Sequence, residues 1–308
     1  MRIGLVLGAG GVLGTAWLLG ALNGVAAATG WTPAEAEFVV GTSAGAIVGA
    51  LGATGRWPLP PGHSQDALLS SLEQASHYRL GAPRWPLIPG SARLLSRGWR
   101  AHPRSRSKLL AGILPQGLLL TQPVEAFISS LVPEGWPQRP RLWIVATDYE
   151  SGEPVVFGRE DAPIVALPSA VAASCAMPGF FRPVHIEGRA YVDGAVSAGP
   201  GLGLLAGQGL DLAICMNPGS CEIQGGSRLL RAVWHHVHRQ VAEQAWTVEA
   251  KGTQVVIVEP SEAVVRRMGL NLMRRRGARQ IGIQAAADVE RDVMAGPLRA
   301  SLSVNQGR

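Results

Sequence analysis

Ser43 stands in Gly41-Thr42-Ser43-Ala44-Gly45, with a glycine two positions away on either side. This G-x-S-x-G spacing suits a strand that turns sharply into a helix, because larger side chains beside the serine would collide with neighbouring backbone. The turn leaves the hydroxyl exposed at the head of a helix, whose positive end favours developing negative charge. That is the setting of a nucleophile in acyl transfer. A serine needs a base, and two arrangements are open. Asp193 in "YVDGAV" ends an apolar run before Gly194, where the chain can turn with the carboxylate facing a cleft. Alternatively, Asp193 could be followed by His235, His236 or His238 in the order of an α/β-hydrolase triad. Against the triad, only one strand precedes the elbow, and these histidines sit on a charged helical segment. Asp148, in "VATDYESG", reads as a turn.

Gly8 to Gly14, "GAGGVLG", also follows a strand and opens a helix. A dinucleotide fingerprint would need G-x-G-x-x-G and an acidic residue at the end of the second strand. Here the third glycine falls at position 14, and the second strand ends in Gly41-Thr42-Ser43. A nucleotide-binding Rossmann protein is therefore the weaker alternative. The other reading is an oxyanion hole, in which backbone N–H groups of Gly10 and Gly11, beside that of Ala44, stabilise charge on a former carbonyl oxygen. Each such donor is worth ~10²–10³ in rate.

These residues need rigid elements to hold them. "RIGLVLG" and "AEFVVG" have strand length and composition; "GTAWLLGALNGVAAATG" and "AGAIVGALGATG" read as the helices behind them. Two successive β-loop-α units with strands apolar on both faces indicate α/β architecture with a mostly parallel sheet. Further strands are expected at "RLWIVATDY", "LAICMN" and "TQVVIVEP", a hairpin around "EGR", and a helix over "RLLRAVWHHVHRQVAEQAWTVEAKG". The 57–107 stretch is proline-rich, holds three of the nine tryptophans and contains "RGWRAHPRSRSK". It reads as a cap or insertion at about 57–115 in a single domain spanning 1–308.

At 308 residues, with 47% hydrophobic and 16% charged residues, the chain can bury a large core. The net charge of +6 is carried by arginine, Lys108 and Lys251 being the only lysines. No DNA-binding or RNA-binding pattern accompanies it, so nucleic acid is not expected as a partner. Cys175, Cys215 and Cys221 follow no metal-ligand spacing and read as buried thiols of a reducing compartment. The apolar run at 3–28 is interrupted by glycines after one strand's length, which favours a buried strand and helix over a signal peptide. A cytoplasmic protein, peripheral at most to a membrane, is expected.

Taken together, the glycine loop, "GTSAG" and Asp-Gly-Ala resemble the patatin-like phospholipase family. "ATDYESGEPVVF" and "AASCAMPGFFRPVHIEGRAYVDGAV" are similar to segments of that family too. The resemblance implies a three-layer α/β/α fold and a Ser–Asp dyad without histidine. Ser43 would be the nucleophile, Asp193 its base, and Gly10 and Gly11 the oxyanion hole. Gly8, Gly14, Gly41, Ala44, Gly45 and Gly194 would support the motifs. The family loop usually reads Gly-Gly-Gly-x-Arg/Lys-Gly, so Ala9 replaces a glycine and Leu13 a basic residue. The expectation is a lipid acyl hydrolase cleaving carboxylic esters through an acyl-serine, with no cofactor and no metal. A transacylase shares this chemistry, and an inactive patatin-like regulator is the competing reading. "RGWRAHPRSRSK" and "RRMGLNLMRRRGARQ", with Trp85 and Trp99, could meet an anionic membrane.

Overall fold

The computed structural model describes residues 1–58, 117–225 and 227–303. Apart from Trp57 and Pro58, the expected cap at 57–115 lies outside the described residues, as do "RGWRAHPRSRSK", Trp85 and Trp99. In chain order the elements are β1 (Ile3–Leu7), α1 (Gly11–Thr29), β2 (Phe38–Thr42), α2 (Ala44–Ala53), α3 (Gln122–Leu131), β3 (Arg141–Asp148) and β4 (Pro154–Phe157). They continue with α4 (Leu167–Ser174), β5 (Val184–Ile186), β6 (Arg189–Asp193), β7 (Leu212–Met216), α5 (Arg228–Glu249), β8 (Gln254–Val258), α6 (Glu262–Met268), α7 (Ala278–Ala295) and α8 (Pro297–Ser303).

All eight strands belong to one sheet, in which neighbours along the series β5-β6-β3-β2-β1-β7-β8 are paired and β4 also pairs with β3. The pairs β1–β2, β2–β3, β1–β7 and β7–β8 are parallel. Those among β3, β4, β5 and β6 are antiparallel. Successive side chains of a strand face opposite ways, and both faces here are apolar. Leu5, Leu7, Val39, Ile144 and Ile214 join a core that includes α1, α2, α4 and α7. Val6, Val40, Val145, Ala213 and Cys215 join a second core with Val241, Ala245 and Val248 of α5. The fold is thus three-layered, helices over both faces of a mostly parallel sheet, as the paired β-loop-α units imply.

The hairpin β5–β6 turns at Glu187 and Gly188, with φ of 49° and 78°, the positive values that a tight hairpin loop needs at both central residues. Strand β4 was not expected from the sequence pattern. Four residues opened by a proline carry too little periodicity to register, and a first-position proline is tolerated because it donates no ladder bond.

Helix α1 is long and apolar enough, by length and composition, to cross a membrane, yet 72% of its apolar window is buried within the protein. It lies so close to α7 that a Cβ on Gly20 would stand 2.1 Å from the Gly282 carbonyl oxygen, and one on Gly24 2.5 Å from that of Ala286. The apolar N-terminal run is therefore a core helix seated against a partner by small residues. Gly20→Val should force the two helices apart and lower stability by about 1–3 kcal/mol, read from urea unfolding.

Candidate active site

Strand β3 decides where the two candidate catalytic side chains meet. On one of its edges, Thr42 of β2 pairs with Val145. Strand β4 pairs with both Val145 and Ala146, so it occupies the opposite edge. Asp193 of β6 also pairs with Ala146, and a residue has only two edges. Strand β6 must therefore lie on the same edge as β2, entering from the other direction as β2 leaves. Thr42 and Asp193 face adjacent residues of β3, a separation of roughly 3.3 Å along a strand. Ser43 and Asp193 are brought together because two strands end head to head.

At that junction Ser43 has φ 55° and ψ −116°, a left-handed conformation that costs a non-glycine residue about 1–3 kcal/mol. The strain turns the chain from β2 into α2 within one residue. The flanking glycine is required by space: a Cβ on Gly45 would lie 1.8 Å from the Leu7 carbonyl oxygen. Gly45 instead donates its N–H to the Gly8 carbonyl at 3.2 Å, tying the elbow to the glycine loop. Gly41 and Gly194 are equally crowded, by Gly45 and by Val145.

Three consecutive residues at the end of α4 hold both strand ends. The Ser43 N–H donates to Ser174 Oγ at 2.9 Å, and that hydroxyl donates to the Val145 carbonyl at 2.6 Å. Cys175 Sγ donates to the Ser43 carbonyl at 3.4 Å. The Asp193 N–H donates to the Ala176 carbonyl at 3.0 Å. The sequence pattern assigns no role to Ser174 or Ala176, and reads Cys175 only as a buried thiol. No spacing rule marks them, and their roles run through the backbones of residues far away in the chain. Cys175 is at the site rather than a remote structural thiol. Burial, then the Asp193 charge, hold its acidity well down, so it stays a neutral thiol.

Asp193 is 1% exposed and Ser43 5%. Burial raises the Asp193 carboxyl to about 6, while the Ser43 hydroxyl and the Ala195 N–H oppose that rise. Its Oδ1 accepts the Ala195 N–H at 2.9 Å, whereas Oδ2 is buried with no hydrogen-bond partner. The hydroxyl is thus close enough to influence the carboxyl, in a contact looser than a closed hydrogen bond. Such contacts often tighten only when substrate binds.

Across from the serine, Gly11 has φ +60°, and a Cβ there would meet the Leu272 carbonyl oxygen and Met273 Sδ, each at 2.9 Å. Leu13 and Gly14 donate their N–H groups to the Leu272 and Gly10 carbonyls. Among the described residues, the N–H groups of Gly10, Gly11, Val12 and Ala44 make no hydrogen bond. They lie at the starts of α1 and α2, where unpaired amides favour negative charge. A narrow cavity of ≈30 Å³ beside Ser43 is lined by Val12, Ile47, Val124, Cys175, Phe181 and Met273. A groove of ≈500 Å³ shares Gly11, Met177 and Met273 with it. A roomier cleft, ≈1000 Å³ between Trp136 and Ile164, contains neither Ser43 nor Asp193.

No described histidine lines the Ser43 cavity or bonds to Asp193. His238 pairs instead with Glu259 at 2.9 Å, and His63, His77 and His102 lie outside the described residues. Asp148 accepts the N–H groups of Glu150 and Ser151, the turn expected of it. Among the described residues, no three His, Cys, Asp or Glu side chains gather as a metal set.

Residues 5–205 match the profile of the family described as "Patatin-like phospholipase", about two thirds of the chain. The chain belongs to the patatin-like phospholipase family. Membership supports lipid hydrolysis as its activity. Among solved structures it is similar to VipD from Legionella pneumophila, at 17% identity and a TM-score of 0.42, covering 94% of this chain and 67% of that one. It is also similar to the type III effector protein ExoU, at 17% identity and a TM-score of 0.36, covering 94% of this chain and 52% of that one. The chain thus spans about half the length of the second.

Against the usual patatin-like loop, Leu13 is now explicable. Its side chain is wholly buried in the core, where an unpaired arginine or lysine would be costly. Leu272, whose carbonyl accepts the Leu13 N–H, lies beyond the matched segment. The C-terminal part of the chain therefore props the loop.

Two outcomes are expected. Ser174→Ala leaves the Ser43 N–H and Val145 carbonyl unpaired in a buried site, and should lower stability by about 1–3 kcal/mol, read by chemical unfolding. Asp193→Asn should raise stability at neutral pH. The folded carboxyl at about 6 against an ordinary 3.8 disfavours the folded state above pH 6 by at most about 3 kcal/mol. The gain should shrink as pH falls from 6 towards 4, where the folded wild-type carboxyl takes up its proton; a pH series of melting temperatures checks this.

Proposed function

We propose that this patatin-like protein hydrolyses carboxylic ester bonds of lipids through a Ser43–Asp193 dyad and an acyl-serine intermediate. The observation that carries the reading is a buried carboxyl, one oxygen unpaired, against a strained serine, with free backbone N–H groups opposite. Asp193 accepts the hydroxyl proton as Ser43 Oγ attacks the ester carbon. The carbonyl oxygen becomes an oxyanion, and the N–H groups of Gly10, Gly11 and Ala44 are the donors placed to receive it. Collapse of the tetrahedral intermediate breaks the ester C–O bond, and the Asp193 proton goes to the departing alcohol. Water then attacks acyl-Ser43, with Asp193 taking its proton and returning it to Ser43 as the fatty acid leaves.

Burial supports the chemistry as well as the geometry. An ordinary aspartate is a weak base, and raising its carboxyl to about 6 brings it near the strength of histidine. This accounts for how a serine could be activated without a described histidine beside it. The apolar walls of the small cavity beside Ser43 favour hydrocarbon over a polar group next to the reacting carbon, and the adjoining ≈500 Å³ groove has room for a chain.

A fluorophosphonate probe should label the wild type and not Ser43→Ala, and p-nitrophenyl ester hydrolysis should fall at least ~10³-fold in both Ser43→Ala and Asp193→Asn. Labelling that survives Ser43→Ala would falsify the assignment. Because the carboxyl must be ionised to act as base, kcat/KM should rise with pH through about 6 and level off above it. A profile flat between pH 5 and 7 would exclude Asp193 as the base.

A further inference from the structure

The ≈500 Å³ groove beside the glycine loop has a rim assembled from three distant parts of the chain. Phe180, Val233 and Leu270 line it, and are 49%, 45% and 49% exposed. A single exposed apolar side chain needs no explanation, whereas several around one mouth form a patch. Leu270 stands in the link between α6 and α7, with Arg266 and Arg267 before it and Arg274, Arg275, Arg276 and Arg279 after it. No acidic residue occurs from 263 to 287. Arg267, Arg274 and Arg276 line a surface hollow farther along that link. An exposed leucine in a link rich in arginine matches the boundary of an anionic bilayer, where hydrocarbon lies beneath negative headgroups.

The same link reaches the candidate active site. The Leu272 carbonyl accepts the Leu13 N–H at 3.0 Å, and Met273 lines both the groove and the Ser43 cavity. The rim therefore belongs to a mainly apolar groove that adjoins the Ser43 cavity across shared walls.

We propose that Phe180, Val233 and Leu270, with Arg267, Arg274 and Arg276, form a docking face for an anionic lipid bilayer. The groove then receives lipid hydrocarbon from the bilayer and leads it to Ser43 without a passage through water. Only this delivery step rests on the hydrolase reading; docking stands on the rim and its charge. The charged stretch is visible in the sequence, but the apolar rim is not, because its members are far apart in the chain.

The test uses the full chain carrying Ser43→Ala, so that turnover cannot alter the membrane during measurement. Co-sedimentation with phosphatidylcholine vesicles, with and without phosphatidylglycerol, reads the partition coefficient. Binding is expected to the phosphatidylglycerol vesicles and to weaken about tenfold in the Phe180→Ser/Leu270→Ser double variant. Arg267→Gln/Arg276→Gln should remove most of the preference for anionic lipid. Ile164, 93% exposed and away from the groove, supplies the control: Ile164→Ser should bind as its parent does. Undiminished binding by the rim variant, or equal loss in Ile164→Ser, overturns the proposal. So does a lipid-free dimer in sedimentation velocity that Leu270→Ser abolishes, which would assign the rim to a second copy of the chain. Docking that holds while fluorophosphonate fails to label the wild-type chain at Ser43 would separate a membrane-binding face from the hydrolase reading.

Discussion

Strand β2 and strand β6 run towards each other along one edge of β3, and neither can extend further without displacing the other. That collision is the constraint on which the site depends. It places Thr42 and Asp193 opposite consecutive residues of β3, with Ser43 next in the chain, and the turn away from the collision takes a different form at each end. Ser43 adopts a left-handed backbone, whereas Asp193 caps a short helical turn with its own carboxyl. The 174–176 segment then bonds to both ends, so the spacing is set by backbone hydrogen bonds rather than by two flexible side chains.

Burial sets the chemistry of this junction. A carboxyl at 1% exposure with one unpaired oxygen is unfavourable for folding and favourable for taking a proton from a neighbour. The same is true of the strained serine. Both are tolerated because the surrounding sheet is covered on both faces and the local geometry is over-determined. The apolar surroundings also exclude the water that would weaken every charge interaction in the site.

The glycine loop depends on a different part of the molecule. Its Gly11 rests on Leu272 and Met273, from a link that the family match does not include. Where a basic side chain is usual, this chain buries Leu13 and fixes the loop through its N–H to Leu272. In this chain the loop is held by a carbonyl outside the motif, and exposed arginines lie along the same link.

Much of this was legible in the order of the residues. Strand and helix periods, the G-x-S-x-G elbow, the hairpin around Gly188 and the Asp-Gly end of β6 are local patterns, each fixed by sterics over a few neighbouring residues. They identified the α/β class and marked Ser43 and Asp193 as candidate side chains. Strand β4 escaped because four residues cannot display a period. The 174–176 clamp, the Leu272 prop and the three-part rim escaped for another reason: each joins atoms from positions far apart in the chain, and no local rule encodes such a meeting. Whether the acid would face the alcohol was likewise settled only by which edge of β3 each strand took, since pairing across a sheet follows from the packing of the whole domain.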